Sequence, residues 1–329
     1  MFDATRNVAR RGDDRSDGLA MKTVLRAWAG GLAADLGRYR ALTVAFRSLR
    51  RARILGQGAG LAALADLSGY RAHAAAEGDG DPLFFLSHRH YLLKGLDRRA
   101  RTEAALCHYT HEAQAFSCSY SDKVYRRGGL VLWQAEASGH SYDIVLQPGR
   151  DVAYEGGLSL ALRIDGGCVS VLSFSWVPGR ILGPELPARV YLISRRHQAR
   201  DHGYQADYNR AFHRVIPSHM VFAAFSGLAL AQGQQTAAGI APDRHPSDAP
   251  ELAPYFRASY HDFWKSLGAQ PLAGGHYRIG LPMTLSPLDG LEPARRKRAL
   301  ARRAVLEEVR ASALQVIAAH LRPEGGQSA

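Results

Sequence analysis

EGGLSLALRIDGGCVSVLSFSW, residues 155–176, sets the fold class. Apolar residues alternate with small or polar ones on both sides of Asp165-Gly166-Gly167. Period-two text of this kind predicts two strands, and the Asp-Gly-Gly step between them is a tight-turn signal. Working outward, SYDIVLQ (141–147) alternates in the same way, and ARVYLIS (188–194) reads as a fourth strand beyond a loop at 178–187. TAAGIA (236–241) reads as a further short strand.

Outside this region the period lengthens. Val24, Leu25, Trp28, Leu32, Ala33 and Leu36 recur at three- and four-residue steps, one apolar face of a helix. A second segment, 41–55, carries Arg47, Arg50, Arg51 and Arg53. Gly and Asp make 73–82 a loop. Residues 97–116 read as one helix with Asp97 as its N-cap. Helical text returns at 204–212 and 218–232, with Pro217 breaking the first helix or beginning the second. A long basic helix covers 293–321, with Pro293 in its first turn. This order predicts an α+β fold, helical at the N-terminal side and then a mixed sheet flanked by helices. Its expected divisions are a disordered basic tail at 1–20, a helical region at 21–135 and an α/β region at 136–329.

The chain has 329 residues, 46% of them apolar, which is ample for a core. Its formal net charge is +12. Residues 1–54 hold twelve Lys or Arg against five Asp or Glu, and six of the nine residues at 295–303 are basic. Such charge favours anionic partners. An anionic membrane surface competes here with ordinary solvated helix faces. No helix-turn-helix or RNA-binding signature accompanies the basic clusters, so specific nucleic-acid binding is not expected. Cys107, Cys118 and Cys168 form neither a disulfide framework nor a zinc motif, which suits a reducing compartment. No apolar run is long enough to cross a bilayer, and residues 1–20 lack the apolar core of a secretory signal. The expected location is the cytoplasm, with peripheral attachment at the inner membrane left open.

Four blocks fall in order across about residues 80–310. The first is His90-Tyr91-Leu92, Arg98, Arg101 and His108-Tyr109. The second is Glu155-Gly156-Gly157-Leu158-Ser159-Leu160 with VLSFSW behind it. The third is Tyr260-His261-Asp262-Phe263-Trp264, Gly275-His276-Tyr277-Arg278 and Leu281-Pro282. The fourth is Arg295-Arg296-Lys297-Arg298 with Arg302-Arg303. Together they resemble the VirK/YbjX family of bacterial envelope-associated proteins. The resemblance implies a role in envelope properties, virulence or resistance to antimicrobial peptides. The chain departs from the family's pattern at 193–198, where Ile193-Ser194-Arg195-Arg196-His197-Gln198 replaces an Ile-Gly-x-Leu-Gln-Gly turn. At 213–217 it keeps only His213 and Pro217.

The strand, polar turn and helix at 188–212 resemble the core of GNAT-type acyltransferases. In that fold the turn's N–H groups and the helix N-terminus cradle a pyrophosphate. The resemblance makes Arg195, Arg196, Gln198, Arg200 and Gly203 candidates for holding acyl-CoA or another acyl carrier. The alternative is an exposed basic loop. Acyl transfer also needs a proton acceptor, and Glu155, His213 and His245 are the candidates. Each also has an ordinary reading: a strand-end hydrogen bond, a helix-end charge and a loop residue. His88, His90, His108 and His111, with Glu112, have the residue types of a metal site, but packed histidines account for them and no metal is expected. Tyr260, Phe263, Trp264 and Tyr277 read as core aromatics rather than a stacking platform. The expected function is transfer of an acyl group to an amine or hydroxyl of a small molecule, lipid or peptide. The alternative is a non-catalytic envelope factor acting through basic, membrane-contacting surfaces.

Overall fold

The computed structural model describes residues 35–76, 84–149, 155–197, 203–246 and 253–323, with isolated positions between 22 and 33. The expected tail at 1–20 lies outside the described residues.

The central hairpin forms as its turn chemistry dictates. Asp165 and Gly166 have φ of 48° and 78°. Two positive φ values in a row make the turn whose twist matches that of the flanking strands. It joins β3 (Leu158–Ile164) to β4 (Gly167–Pro178). β2 (His140–Pro148) pairs with β3, and β5 (Arg189–His197) with β4, all antiparallel. A second tight turn, with Ser138 at φ 52° and Gly139 at 82°, adds β1 (Leu130–Ala137) to β2.

β1 corrects the sequence reading, which assigned 130–135 to the helical region. Its alternation is hidden by a register shift between Val131 and Trp133. Leu132 and Trp133 are both buried as a result, so the strand lacks the period-two pattern.

Past β5 the chain makes α7 (Gln205–Ala211) and α8 (Pro217–Ala231), then β6 (Thr236–Gly239). Pro217 begins α8 at its first turn rather than breaking α7. β6 lies parallel to β5. α9 (Ala253–Ser266) leads to β7 (Gln270–Pro271) and β8 (Tyr277–Gly280). The strand order is β1-β2-β3-β4-β5-β6-β8-β7, one mixed sheet in which, among the described residues, only β5 and β6 pair in parallel.

Strand residues alternate faces, and the helices divide accordingly. Phe225 of α8 lies 5.4 Å from the rings of both Phe174 and Tyr191. α8 therefore covers the face that also carries Ile193. Ser194 points to the opposite face, where it meets Tyr260 of α9. α10 (Pro293–Ala318) packs over α8 and reaches β1, with the Trp133 indole donating to Glu308 at 3.0 Å.

The N-terminal helices are α1 (Ala41–Ala52), α2 (Gly58–Asp66), α3 (Ser68–Ala76), α4 (Phe84–Ser87), α5 (Arg98–Ala115) and α6 (Cys118–Arg126). Asp97 caps α5 as expected, its carboxylate accepting from the Ala100 N–H at 2.7 Å. α5 packs on β4, and one apolar core runs from Ile54 to Ile317.

Candidate functional site

The site begins where β5 and β6 part. Their pairing ends at Ile193 and Gly239, and the last bond runs from the Ile240 N–H to the Ile193 carbonyl at 3.0 Å. Pro242 then turns the chain away through a short 3-10 turn, Pro242–Arg244. β5 continues to His197 with β4 as its partner. The Arg195 N–H and C=O therefore face a side that β6 no longer covers. Tyr260 of α9 fills it. Its hydroxyl accepts from the Arg195 N–H at 3.1 Å and donates to the Arg195 carbonyl.

Behind Tyr260 lies a buried polar cluster. His245 Nε2 is 2.8 Å from Ser194 Oγ, 2.9 Å from the Tyr260 hydroxyl and 3.8 Å from Glu155 Oε2. Ser194 Oγ and the Tyr260 hydroxyl are 3.4 Å apart. All four residues are buried. Burial, with Glu155 as a neighbour, pushes the Tyr260 phenol up, so it stays protonated. The Tyr260 hydroxyl thus serves Arg195, and Ser194 Oγ lies within hydrogen-bond reach of His245 Nε2. A ring nitrogen in contact with a hydroxyl and near a carboxylate can take a proton and be stabilised as imidazolium. The loop holding His245 is itself fixed. The Ala241 N–H donates to His276 Nδ1 at 3.1 Å, and the Trp264 indole donates to the Ile240 carbonyl at 3.0 Å.

Of the three proton-acceptor candidates, Glu155 and His245 thus come together. His213 does not join them. It is exposed at φ 52° between α7 and α8, and its carbonyl accepts from Arg302. Its neighbour Phe212 packs on Trp133 and Tyr142, at the other end of the sheet. Among the carrier-binding candidates, Arg195 lays its guanidinium 4.8 Å over the Phe263 ring and reaches Ser259 on α9. Arg196 lies in β5, paired with Val171. Gly203, at φ 75°, directly precedes the turn into α7. Gln198 and Arg200 lie outside the described residues. Ser194 and Tyr260 are the members that the sequence reading did not place in a site.

A second buried cluster sits between α5, α6 and the sheet. Glu112 accepts from the Tyr125 hydroxyl at 2.6 Å and the Tyr120 hydroxyl at 3.1 Å, and lies 3.5 Å from His108 Nε2. The Trp176 N–H donates to His108 Nδ1 at 3.4 Å, which leaves the ring proton on Nε2, facing Glu112. Burial holds His108 down at about 3 and Glu112 up at about 7, the latter against the pull of both tyrosines. Gly157 makes room for the imidazole: a Cβ there would fall 2.3 Å from His108 Nε2. His111 turns aside to Gln232 and Trp176. His88 and His90 lie against each other beyond α4. Among the described residues no group of three or more His, Cys, Asp or Glu converges as a metal site.

A family described as "Protein of unknown function (DUF535)" matches residues 82–315. No curated protein matches the chain.

Proposed function

This chain belongs to the DUF535 family, which is the VirK/YbjX family, and we propose that it is an acyltransferase using a thioester donor, acyl-CoA or another acyl carrier. The observation that carries this reading is the convergence of Glu155, Ser194, His245 and Tyr260 where the parallel strands β5 and β6 separate. In open α/β sheets, ligands favour the crevice beyond the carboxyl ends of the parallel strands, and this cluster lies beyond the carboxyl ends of the parallel pair β5/β6. The antiparallel run from β1 to β5, followed by a helical crossover to a parallel β6, also suits the GNAT-like core that the sequence resembles.

In the proposed reaction an amine or hydroxyl of a small molecule, lipid or peptide attacks the thioester carbonyl. Its proton passes to His245 Nε2, with Glu155 balancing the imidazolium. The C–S bond breaks, and the leaving thiolate takes a proton from the Tyr260 phenol as His245 Nε2, 2.9 Å away, passes the nucleophile's proton on to Tyr260, so both groups return to their starting states. The Arg195 N–H and C=O, which Tyr260 now caps, are the strand-edge groups that an amide in the carrier's arm would pair with.

Calorimetry and thermal shift on the full chain, with acyl-CoAs of increasing chain length and acyl carrier protein, test the binding step. Thiol release with a panel of amines and alcohols tests turnover. At least one donor should bind. His245→Ala and Glu155→Gln should cut thiol release about 100-fold or more, with donor binding kept within a few-fold. If no thioester donor binds, or if both variants turn over like the wild type, the reading is overturned.

A further inference from the structure

α1 carries a row of large apolar side chains on its outer face. Leu42, Phe46 and Leu49 are 70%, 65% and 54% exposed. At spacings of four and three they line one side of the helix. The inner side is anchored: Val44 is buried, and Asp35 pairs with Arg51 at 2.6 Å and with Arg47 at 2.9 Å. The outward row is thus a fixed feature of the surface.

On the flank of the same helix, Arg50 and Arg53 line a cavity of about 350 Å³ with Ser87, His88, Arg89, Arg98 and Arg101. Among the described residues, five arginines and no carboxylate line it. Arg101 is fixed in place by donating to the His88 and Leu86 carbonyls, at 2.5 and 3.2 Å. Arg50 donates to Ser87 Oγ at 3.1 Å. Burial and the surrounding arginines hold His88 down at about 4, so it adds no charge of its own at neutral pH. The cavity has the charge and size for a phosphate-bearing group.

We propose that this face of α1 docks on an anionic phospholipid membrane, with lipid phosphate in the arginine cavity and Leu42, Phe46 and Leu49 among the acyl chains. Each half of the surface complements one half of an anionic lipid, and the two halves share one helix. A helix with an apolar row and a basic flank lies in the interface plane. No described helix is long and apolar enough to cross a membrane, so a surface mode is the one available to these elements. The basic cluster at 295–303 lacks this pairing, since Leu300 is its only exposed large apolar residue. The proposal stands independently of acyl transfer.

The test is co-sedimentation of the full chain with phosphatidylglycerol/phosphatidylcholine vesicles and with phosphatidylcholine vesicles alone. Binding should require the anionic lipid. Phe46→Ser with Leu49→Ser should weaken it about tenfold or more. Arg53→Ala with Arg98→Ala should do the same and flatten its salt dependence. All four side chains are exposed, and unchanged melting temperatures would confirm that the variants fold. Four results would overturn the proposal. Two are equal binding to neutral vesicles and undiminished binding by either double variant. Another is stabilisation by inorganic phosphate without vesicle binding, which would mean a soluble phosphate ligand. The last is a dimer abolished by Phe46→Ser with no vesicle binding, which would assign the row to a second copy of the chain.

Discussion

Glu112 is a carboxyl group shut inside the protein, and pH should expose what that costs. Its neighbours are His108 on its own helix, Tyr120 and Tyr125 on α6, and Tyr191 on β5. Between an ordinary glutamate near 4.5 and the folded value of about 7, the folded state binds more protons than the unfolded one. Stability should therefore fall as pH rises through that window, by about 3 kcal/mol in total, and level off above it. His108 acts in the opposite sense. Its folded value is about 3 against an ordinary 6.5, so it lowers stability as pH falls below 6.5. The two overlap between 4.5 and 6.5, so the wild-type profile alone does not separate them. Glu112→Gln removes one and keeps an acceptor for the tyrosines. Relative to the wild type, its unfolding free energy should gain about 3 kcal/mol from pH 4.5 to 7.5 and stay constant beyond. Denaturant titrations across that range measure the difference, and a pH-independent difference would mean that Glu112 ionises normally when folded. The sequence announced Glu155 and His245 as proton acceptors only singly, because a separation of 90 positions hides a contact made by the sheet. Ser194 was harder still. It stands where the resembled family pattern has Gly, and nothing local marks its hydroxyl as facing a histidine. His213 failed for the converse reason, since a histidine after a helix says nothing about which end of the sheet it reaches.

At the scale of elements, the legible parts were those with clean periods. The β3–β4 hairpin, the Asp97-capped helix and the apolar α8 all form where alternation, capping and turn chemistry agree. β1 was lost to its register shift. The polar end of β5 was lost because Arg195, Arg196 and His197 pair with β4 as strand while reading as loop. That end depends on a side chain from another element. Tyr260→Phe should leave the Arg195 N–H and C=O without the hydroxyl that serves both, costing about 1–3 kcal/mol in chemical denaturation. If an acyl carrier's arm pairs with this edge, the variant has more to regain on binding. Its melting temperature should then rise more than the wild type's with the same acyl-CoA. A stability loss with no added thermal response would make Tyr260 a structural cap alone.

Across the whole molecule, the expected division near 135/136 falls inside β1. The contacts across it are extensive. The His111 ring lies 4.3 Å from Trp176, and the core joins Tyr109, Phe116 and Tyr120 to Phe174, Trp176 and Tyr191. The far end of the chain returns to the same place. Leu321 bridges to Phe116, the Ser117 N–H donates to the His320 carbonyl at 2.9 Å, and the Arg322 N–H donates to the Ala115 carbonyl at 2.9 Å. Residue patterns along the chain could not reveal this closure, because it ties positions about 200 apart. A fragment of residues 136–329 would lose most of β1, all of α5 and the seat of its own C-terminal segment, leaving one edge of the sheet and the β4 contact of α5 bare. Burial lost on that scale exceeds the few kcal/mol by which a domain is stable. Full-length protein should therefore unfold in one transition, coincident by near- and far-ultraviolet circular dichroism, while the 136–329 fragment should show no cooperative transition. A cooperative melt of that fragment would mean that the two regions fold as separate units and that the shared core adds little to either.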